Sequence, residues 1–170
     1  MTIDQLNRLP ADEARAALER CCGCPAWVER MVARRPFVDL NHLLGIANAY
    51  WMRLGPEDWR EAFTHHPRIG DLESLQRRFA ATADLAGREQ GAVAAASQAT
   101  LVALAEGNRA YEERFGYIFI VFASGRSAEE MIVLLRQRLE NDPETELKTA
   151  AKEQWKIMRL RLDKLLGGPR

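Results

Sequence analysis

The chain has 170 residues, is 47% hydrophobic and balances 24 Lys and Arg against 24 Asp and Glu. A chain of this length can bury a core without disulfides or metals, so we expect one domain over residues 1–170. Zero net charge argues against a nucleic-acid or anionic membrane partner, and no apolar run is long enough to cross a bilayer. We therefore expect a cytoplasmic protein with no nucleic-acid and no membrane partner.

Helical signals follow one another along the whole chain. Proline, glycine and capping residues divide it into amphipathic stretches with apolar positions three or four residues apart. The predicted helices cover residues 2–9, 11–22, 25–36, 39–55, 56–66, 72–79, 97–115, 127–139 and 143–167, with an alanine-rich stretch reaching residue 96. The last of these is predicted to be the longest, and Ser127 with Glu130 forms a capping box at the start of the one before it.

One segment departs from this pattern. Residues 117–123, YIFIVFA, form a continuous apolar run that periodicity alone would assign to a buried strand. Because no second comparable run exists to pair with it, we interpret it as a buried apolar segment between helices. The predicted fold class is therefore all-α, a single compact multi-helix domain.

Two of the three histidines stand side by side in THHPRIGD, residues 64–71. Pro67 disfavours helical geometry at His66, so the preceding helix should end there. Helix carbonyl ends favour a protonated imidazole, which makes this a candidate acid/base group titrating near neutral pH. The alternative is that the pair only caps the helix or lies on the surface.

Two charged residues stand in unusual settings. Arg161 falls on a largely apolar stripe of the last helix, which comprises Leu147, Ala150, Gln154, Ile157, Arg161 and Leu165. A guanidinium there must find an anion or carbonyls, so ligand binding competes with a structural salt bridge or a side chain that extends to solvent. Glu89 lies one turn from Leu85 and Val93, and its alternative is a solvated helix glutamate.

The three cysteines, Cys21, Cys22 and Cys24, are an odd number and cannot all pair within the chain. His42 is the nearest candidate for a fourth metal ligand, but the spacing is not that of a zinc ribbon or finger. Free thiols are the better interpretation, and we expect no metal.

Four fragments in order resemble one family. They are HHPRIG, the pair Glu89-Gln90 before Gly91, the run ERFGYIFIVFASGRSAEEM over residues 113–131, and NDPETEL with the later KIMRLRLDKL. Together they resemble 2-oxo-4-hydroxy-4-carboxy-5-ureidoimidazoline (OHCU) decarboxylases from about Leu6 to Leu166. The resemblance implies an all-α homodimer that decarboxylates OHCU to (S)-allantoin in urate degradation, without a cofactor.

The resemblance also implies site residues. The catalytic set would be His66 for proton transfer, Glu89 for hydrogen bonds to substrate N–H groups, and Arg161 for an anionic substrate group. The substrate-binding positions would be Pro67, Ala86, Gln90, Phe119, Ile120, Val121, Phe122 and Ala123, the last five through the backbone. Animal members carry a serine where this chain has Ala86, so a hydrogen bond from that side chain is missing or replaced.

Two other function classes remain open from the residues alone. One is a non-catalytic helical interaction module in which Glu89 and Arg161 pair in the core. The other is a metal-dependent hydrolase using His65 and His66. Adjacent helical residues point about 100° apart, and no HxxxH spacing occurs, which disfavours a shared ion.

Overall fold

The computed structural model describes residues 1–66 and 91–167, and for residues 91–98 it describes the backbone alone. Within those ranges the chain forms eight helices and no strand, which confirms the all-α prediction. The helices are α1 (Ile3–Arg8), α2 (Ala11–Glu19), α3 (Pro25–Arg34), α4 (Leu40–Met52), α5 (Pro56–Thr64), α6 (Gly91–Phe115), α7 (Ala128–Leu139) and α8 (Pro143–Leu165). None of the helices in these ranges has both the length and the apolar character needed to span a membrane.

Helices α1, α4 and α7 begin at a residue whose side chain caps the first amides. The Thr2 hydroxyl accepts from the Gln5 N–H at 3.1 Å, and the Gln5 side chain accepts from the Thr2 N–H at 2.7 Å. The predicted box at Ser127 is confirmed, since its hydroxyl accepts from Glu130 N at 3.2 Å and the Glu130 carboxylate accepts in return. Each box satisfies amides that would otherwise lack a partner at the helix start.

Three helix predictions needed correction. Helix α6 begins at Gly91 rather than residue 97, because the alanine-rich stretch has high helix propensity. At 25 residues it exceeds the 23 of α8, so the prediction that the last helix is the longest was wrong. Helix α2 ends at Glu19 rather than residue 22, because the amides of Cys21 and Cys22 both donate to the Leu18 carbonyl and close the helix early.

The apolar run at 117–123 forms neither helix nor strand, as predicted. Tyr117 and Ile120 are buried, whereas the other five residues are half-buried. The segment follows α6 directly after Gly116, whose φ of 76° suits glycine at a helix end.

The chain divides into two compact units, Met1–His66 with Leu147–Arg170, and Pro67–Glu146. Three indoles tie the first unit together. Trp27 donates to the Ala47 carbonyl at 3.0 Å, Trp51 to the Ala151 carbonyl at 2.8 Å, and Trp59 to the Trp51 carbonyl at 3.0 Å. These bonds join α3 to α4, α4 to α8 and α5 to α4, and so fix the helices that carry the candidate site.

The second unit is built on the packing of α6 against α7. A Cβ at Gly107 would lie 2.6 Å from the Cδ2 methyl of Leu135, so a larger residue there would force the Leu135 side chain to move. The Tyr111 ring then packs against Phe119 and Phe115, with centroids 5.1 and 4.7 Å apart. This unit therefore holds the 117–123 segment against α6.

Candidate active site

His66 follows the end of α5 in a tightly bonded turn. The amides of His65 and His66 donate to the carbonyls of Ala62 and Phe63 at 3.3 and 3.2 Å. Since Ala62 and Phe63 are buried, the turn starts from a fixed helix end. The predicted end of the helix at the histidine pair is confirmed, and His66 is half-buried while His65 is exposed.

The environment of His66 favours its neutral form. Burial lowers the pKa of the imidazole, and the positive charges of Arg161 and His65 lower it further, while a contact with Gln154 raises it. Desolvation and the nearby guanidinium act against the helix carbonyls, which the local sequence indicates as favouring a protonated ring.

Arg161 lies on the flank of the buried face of α8. That face comprises Leu147, Ala150, Ala151, Gln154, Met158 and Leu162, so the predicted stripe was displaced at Ile157, Arg161 and Leu165, which are half-buried. Because an α-helix has 3.6 residues per turn, the buried row runs through residues 154, 158 and 162, and Arg161 lies beside that row. Its Nη1 donates to the Cys21 carbonyl at 3.3 Å. In residues 1–66 and 91–167, no carboxylate lies within salt-bridge distance of this guanidinium.

Gln154 is the site residue that sequence reasoning missed. Its side chain is fully buried, yet neither amide atom makes a hydrogen bond of ordinary geometry within the described part of the chain. It nevertheless faces His66 closely enough to favour the protonated ring. The available signal was a glutamine on an apolar stripe two helical turns before Arg161, hence on a similar face.

Backbone carbonyls of the 119–123 segment, in the second unit, are held by two arginines. Arg138 Nη1 donates to the Ile120 carbonyl at 2.6 Å, and Arg126 Nε donates to the Phe122 carbonyl at 3.1 Å. The Arg138 guanidinium also lies 4.7 Å from the Phe119 ring centroid. The segment is thus fixed by side chains rather than by a ladder of strand hydrogen bonds.

Residues 7–163 match the family model described as OHCU decarboxylase. The chain belongs to the OHCU decarboxylase family. It is 38% identical over 182 residues to the 2-oxo-4-hydroxy-4-carboxy-5-ureidoimidazoline decarboxylase of Amia calva, covering 99% of this chain and 97% of that protein.

A solved structure and a bifunctional protein are also similar to this chain. A crystal structure of OHCU decarboxylase in the presence of (S)-allantoin is 35% identical, with a TM-score of 0.69 over 88% of this chain and 96% of that one. The uric acid degradation bifunctional protein TTL of Arabidopsis thaliana is 36% identical over 85% of this chain. The chain spans only 45% of the length of that bifunctional relative.

The thiols of this OHCU decarboxylase family member are not part of a reactive centre. Cys21, Cys22 and Cys24 are free and buried, which confirms the interpretation as free thiols. Burial raises the pKa of Cys21 to about 11 and of Cys22 to about 12, so both stay protonated at neutral pH. His42 accepts a bond from Val38 N at 3.1 Å. Among the described residues, no group of three or more His, Cys, Asp or Glu side chains is placed to hold a metal ion.

A largely buried polar cluster on α6, α7, α8 and the connection before α8, called here the Arg138 cluster, was also missed. It consists of Arg138, Glu146, Tyr111 and Asn141. Arg138 Nε donates to Glu146 Oε1 at 2.8 Å, the Tyr111 hydroxyl donates to the same oxygen, and Asn141 Nδ2 donates to Oε2 at 2.8 Å. Burial is the main cause that raises the pKa of the Tyr111 hydroxyl. No periodic pattern in the sequence predicts such a cluster, because Tyr111, Arg138 and Glu146 lie on three separate helices.

The structure therefore brings together two of the three predicted catalytic residues, His66 and Arg161, and adds Gln154. Four other predicted site residues, Pro67, Ala86, Glu89 and Gln90, lie outside the described residues. Their assignment stays a prediction.

Proposed function

We propose that this chain decarboxylates OHCU to (S)-allantoin in urate degradation, without a cofactor. The observation that carries the proposal is the half-buried imidazole of His66, whose pKa is lowered by burial and by the charge of Arg161, next to a guanidinium that has no carboxylate partner in the described ranges. A neutral base next to a cation that can accept an anion is the pairing that proton transfer on a carboxylate substrate requires. Membership of the OHCU decarboxylase family supports the choice of substrate.

The chemistry needs no metal or organic electron sink. When the bond to the carboxylate breaks, its electron pair moves toward the adjacent carbon–nitrogen double bond of the substrate ring, and carbon dioxide leaves. The protein has to hold the ring, balance the charge and control where protons go. These are tasks for side chains alone.

His66 serves as the proton carrier. Because its pKa is lowered, the ring starts neutral and takes the hydroxyl proton as the carboxylate leaves. The imidazolium then returns a proton to one face of the neighbouring carbon, which fixes the S configuration. A single histidine accounts for both of these transfers, and the ring nitrogen that receives the electron pair of the carbon–nitrogen double bond takes one further proton from solvent. General acid/base catalysis of this kind contributes about 10²–10⁴-fold.

Arg161 binds and orients an anionic group of the substrate. Its planar fork offers paired donors, and only one contact, to the Cys21 carbonyl at 3.3 Å, occupies it among the described residues. Glu89 accepts hydrogen bonds from substrate N–H groups in this proposal, and Pro67, Ala86, Gln90 and the backbone of residues 119–123 line the site. The proposal also includes one domain over residues 1–170, a homodimer and a cytoplasmic location.

The test uses the purified full chain and OHCU generated freshly from urate by the two upstream enzymes. We expect faster decay of OHCU and a dextrorotatory (S)-allantoin product, with no added cofactor and with a chelator present. Spontaneous decay yields racemate, so optical activity separates catalysis from background. Racemic product formed at the uncatalysed rate contradicts the proposal and favours a non-catalytic interaction module.

A further inference from the structure

The connection between α2 and α3, residues 20–24, is called here the cysteine loop. The amides of Cys21 and Cys22 donate to the Leu18 carbonyl at 2.9 and 3.0 Å, and the Cys24 carbonyl accepts from two amides of α3 at 3.1 and 3.0 Å. The three cysteines are buried. Backbone bonds to both flanking helices and buried side chains therefore hold this loop in one place.

Both predicted catalytic residues of the first unit are linked to the cysteine loop. Arg161 reaches it from α8, because its Nη1 donates to the Cys21 carbonyl at 3.3 Å. The turn after α5 reaches it through His65, whose side chain lies against Gly23. His66 is the next residue of that turn, so one loop contacts Arg161 and the immediate neighbour of His66.

The contact at Gly23 leaves no room for a side chain. A Cβ at Gly23 would lie 2.6 Å from Cδ2 and 2.7 Å from Cβ of His65, far inside the roughly 3.5–4.0 Å at which carbon atoms pack. Rotating the ring of His65 would not relieve the contact with its Cβ, so the backbone of the turn would have to move. The φ of Gly23 is outside the left-handed region, so the missing side chain, rather than backbone freedom, is what this contact needs.

We propose that Gly23 is a positioning residue for His66. By leaving room for His65, it allows the turn after α5 to lie against the same loop that holds Arg161, and so fixes the spacing of His66 and Arg161. This inference rests on the proposed function, which gives proton transfer to His66 and anion binding to Arg161. A displacement of about 1 Å in a catalytic group can cost about 10²-fold in rate, so this spacing matters for activity.

Three variants and a control test the inference in the full chain. Gly23→Ala introduces the clash, and Gly23→Ala/His65→Gly removes the atoms that it would meet. His65→Gly alone is the reference for the double variant. Gly45→Ala is the matched control, because Gly45 is exposed on α4 of the same unit and a Cβ there would have no atom within 4 Å.

For Gly23→Ala we expect kcat for OHCU to fall roughly 10- to 100-fold, because the turn that carries His66 moves. KM should change less, since the Cys21 carbonyl that holds Arg161 is fixed by the bonds to Leu18. The double variant should recover the kcat of His65→Gly, and Gly45→Ala should keep the wild-type value. Unchanged kcat in Gly23→Ala, or a loss that His65→Gly does not reverse, would overturn the inference.

A measurement without substrate separates this inference from the proposed function. The chain has three histidines, so the ring signals of His66 can be assigned by NMR with His65→Gly as reference. We expect these signals to shift in Gly23→Ala, to match those of His65→Gly in the double variant, and to stay unchanged in Gly45→Ala. Identical His66 signals in the wild type and Gly23→Ala would refute the role of Gly23, whether or not the chain turns over OHCU. If Gly23→Ala does not fold, the double variant decides alone, and a kcat below that of His65→Gly would refute the inference.

Discussion

Two buried polar groups of this protein differ in how completely their hydrogen bonds are made. In the Arg138 cluster, Glu146 accepts from Arg138, Tyr111 and Asn141, and Arg138 also donates to the Ile120 carbonyl. In the group around His66, the Gln154 amide makes no ordinary hydrogen bond within the described ranges. Among the residues that the structure describes, the Arg161 guanidinium makes a single hydrogen bond, to the Cys21 carbonyl.

This difference distinguishes a group that stabilises the fold from a group that is suited to binding a ligand. A fully satisfied buried network holds its elements in one arrangement, whereas buried polar groups left without partners destabilise the free protein and suit a ligand. The Arg138 cluster anchors the 119–123 segment, and in the proposed function the His66 group keeps its donors and acceptors for the substrate. The two groups should therefore respond in opposite ways to substitution.

The largest expected effect is on stability, at the Arg138 cluster. Glu146→Gln leaves the buried Arg138 guanidinium without its counter-charge and should lower the free energy of unfolding by about 3–5 kcal/mol. Glu113→Gln, exposed on α6 two residues after Tyr111, should change it by less than about 0.5 kcal/mol. Urea denaturation of both variants measures the difference. Equal effects would show that the cluster is not a structural anchor.

The next effect is on substrate binding, at Arg161. Arg161→Lys keeps the charge but loses the planar pair of donors, so KM for OHCU should rise roughly 10-fold while kcat changes less. Arg159→Lys, two residues earlier and exposed, is the matched control and should be silent. Steady-state kinetics distinguishes a change in KM, which indicates weaker substrate binding, from a change in kcat. A fall in kcat at constant KM would contradict a role in binding.

The smallest effect is a pH dependence of stability. The pKa of His66 is lowered in the folded state, so the unfolded chain binds more protons as the pH falls through the ordinary histidine range near roughly 6.5. Stability from this residue is complete above that range and is lost on acidification. Between pH 7.5 and pH 5.5 the wild type should lose more stability than His66→Asn. If the difference in free energy of unfolding between the wild type and His66→Asn is the same at both pH values, His66 is not desolvated.

Much of the fold could be predicted because the residues near each helix start and end determine where the helix begins and stops. The capping box at Ser127 and Glu130 and the helix end before Pro67 needed only the sequence. Failures arose where a distant partner decides the outcome. Nothing near Glu146 in the chain shows that Tyr111 and Arg138 will surround it, since these residues lie on different helices.

The candidate site shows the same limit. His66 was identified because its neighbour Pro67 forms a distinctive motif, but the lowering of its pKa could not be predicted, because Arg161 and burial act only in the folded chain. Gln154 was noticed as a member of the apolar stripe and given no role. A single glutamine forms no periodic pattern in the sequence. A role for Gln154 can be inferred only once its burial and its proximity to His66 are known.

The most direct test of the account compares the two adjacent histidines. His65 is exposed, and its ring lies where a Cβ at Gly23 would come within 2.3 Å of Cγ, so it packs beside a glycine rather than facing Gln154. We therefore measure kcat for OHCU decarboxylation and the optical activity of the product in His66→Asn and His65→Asn. His66→Asn should lower kcat by at least about 100-fold with little change in melting temperature, while His65→Asn should stay close to wild type. An inactive His65→Asn together with an active His66→Asn would contradict the assignment of proton transfer to His66.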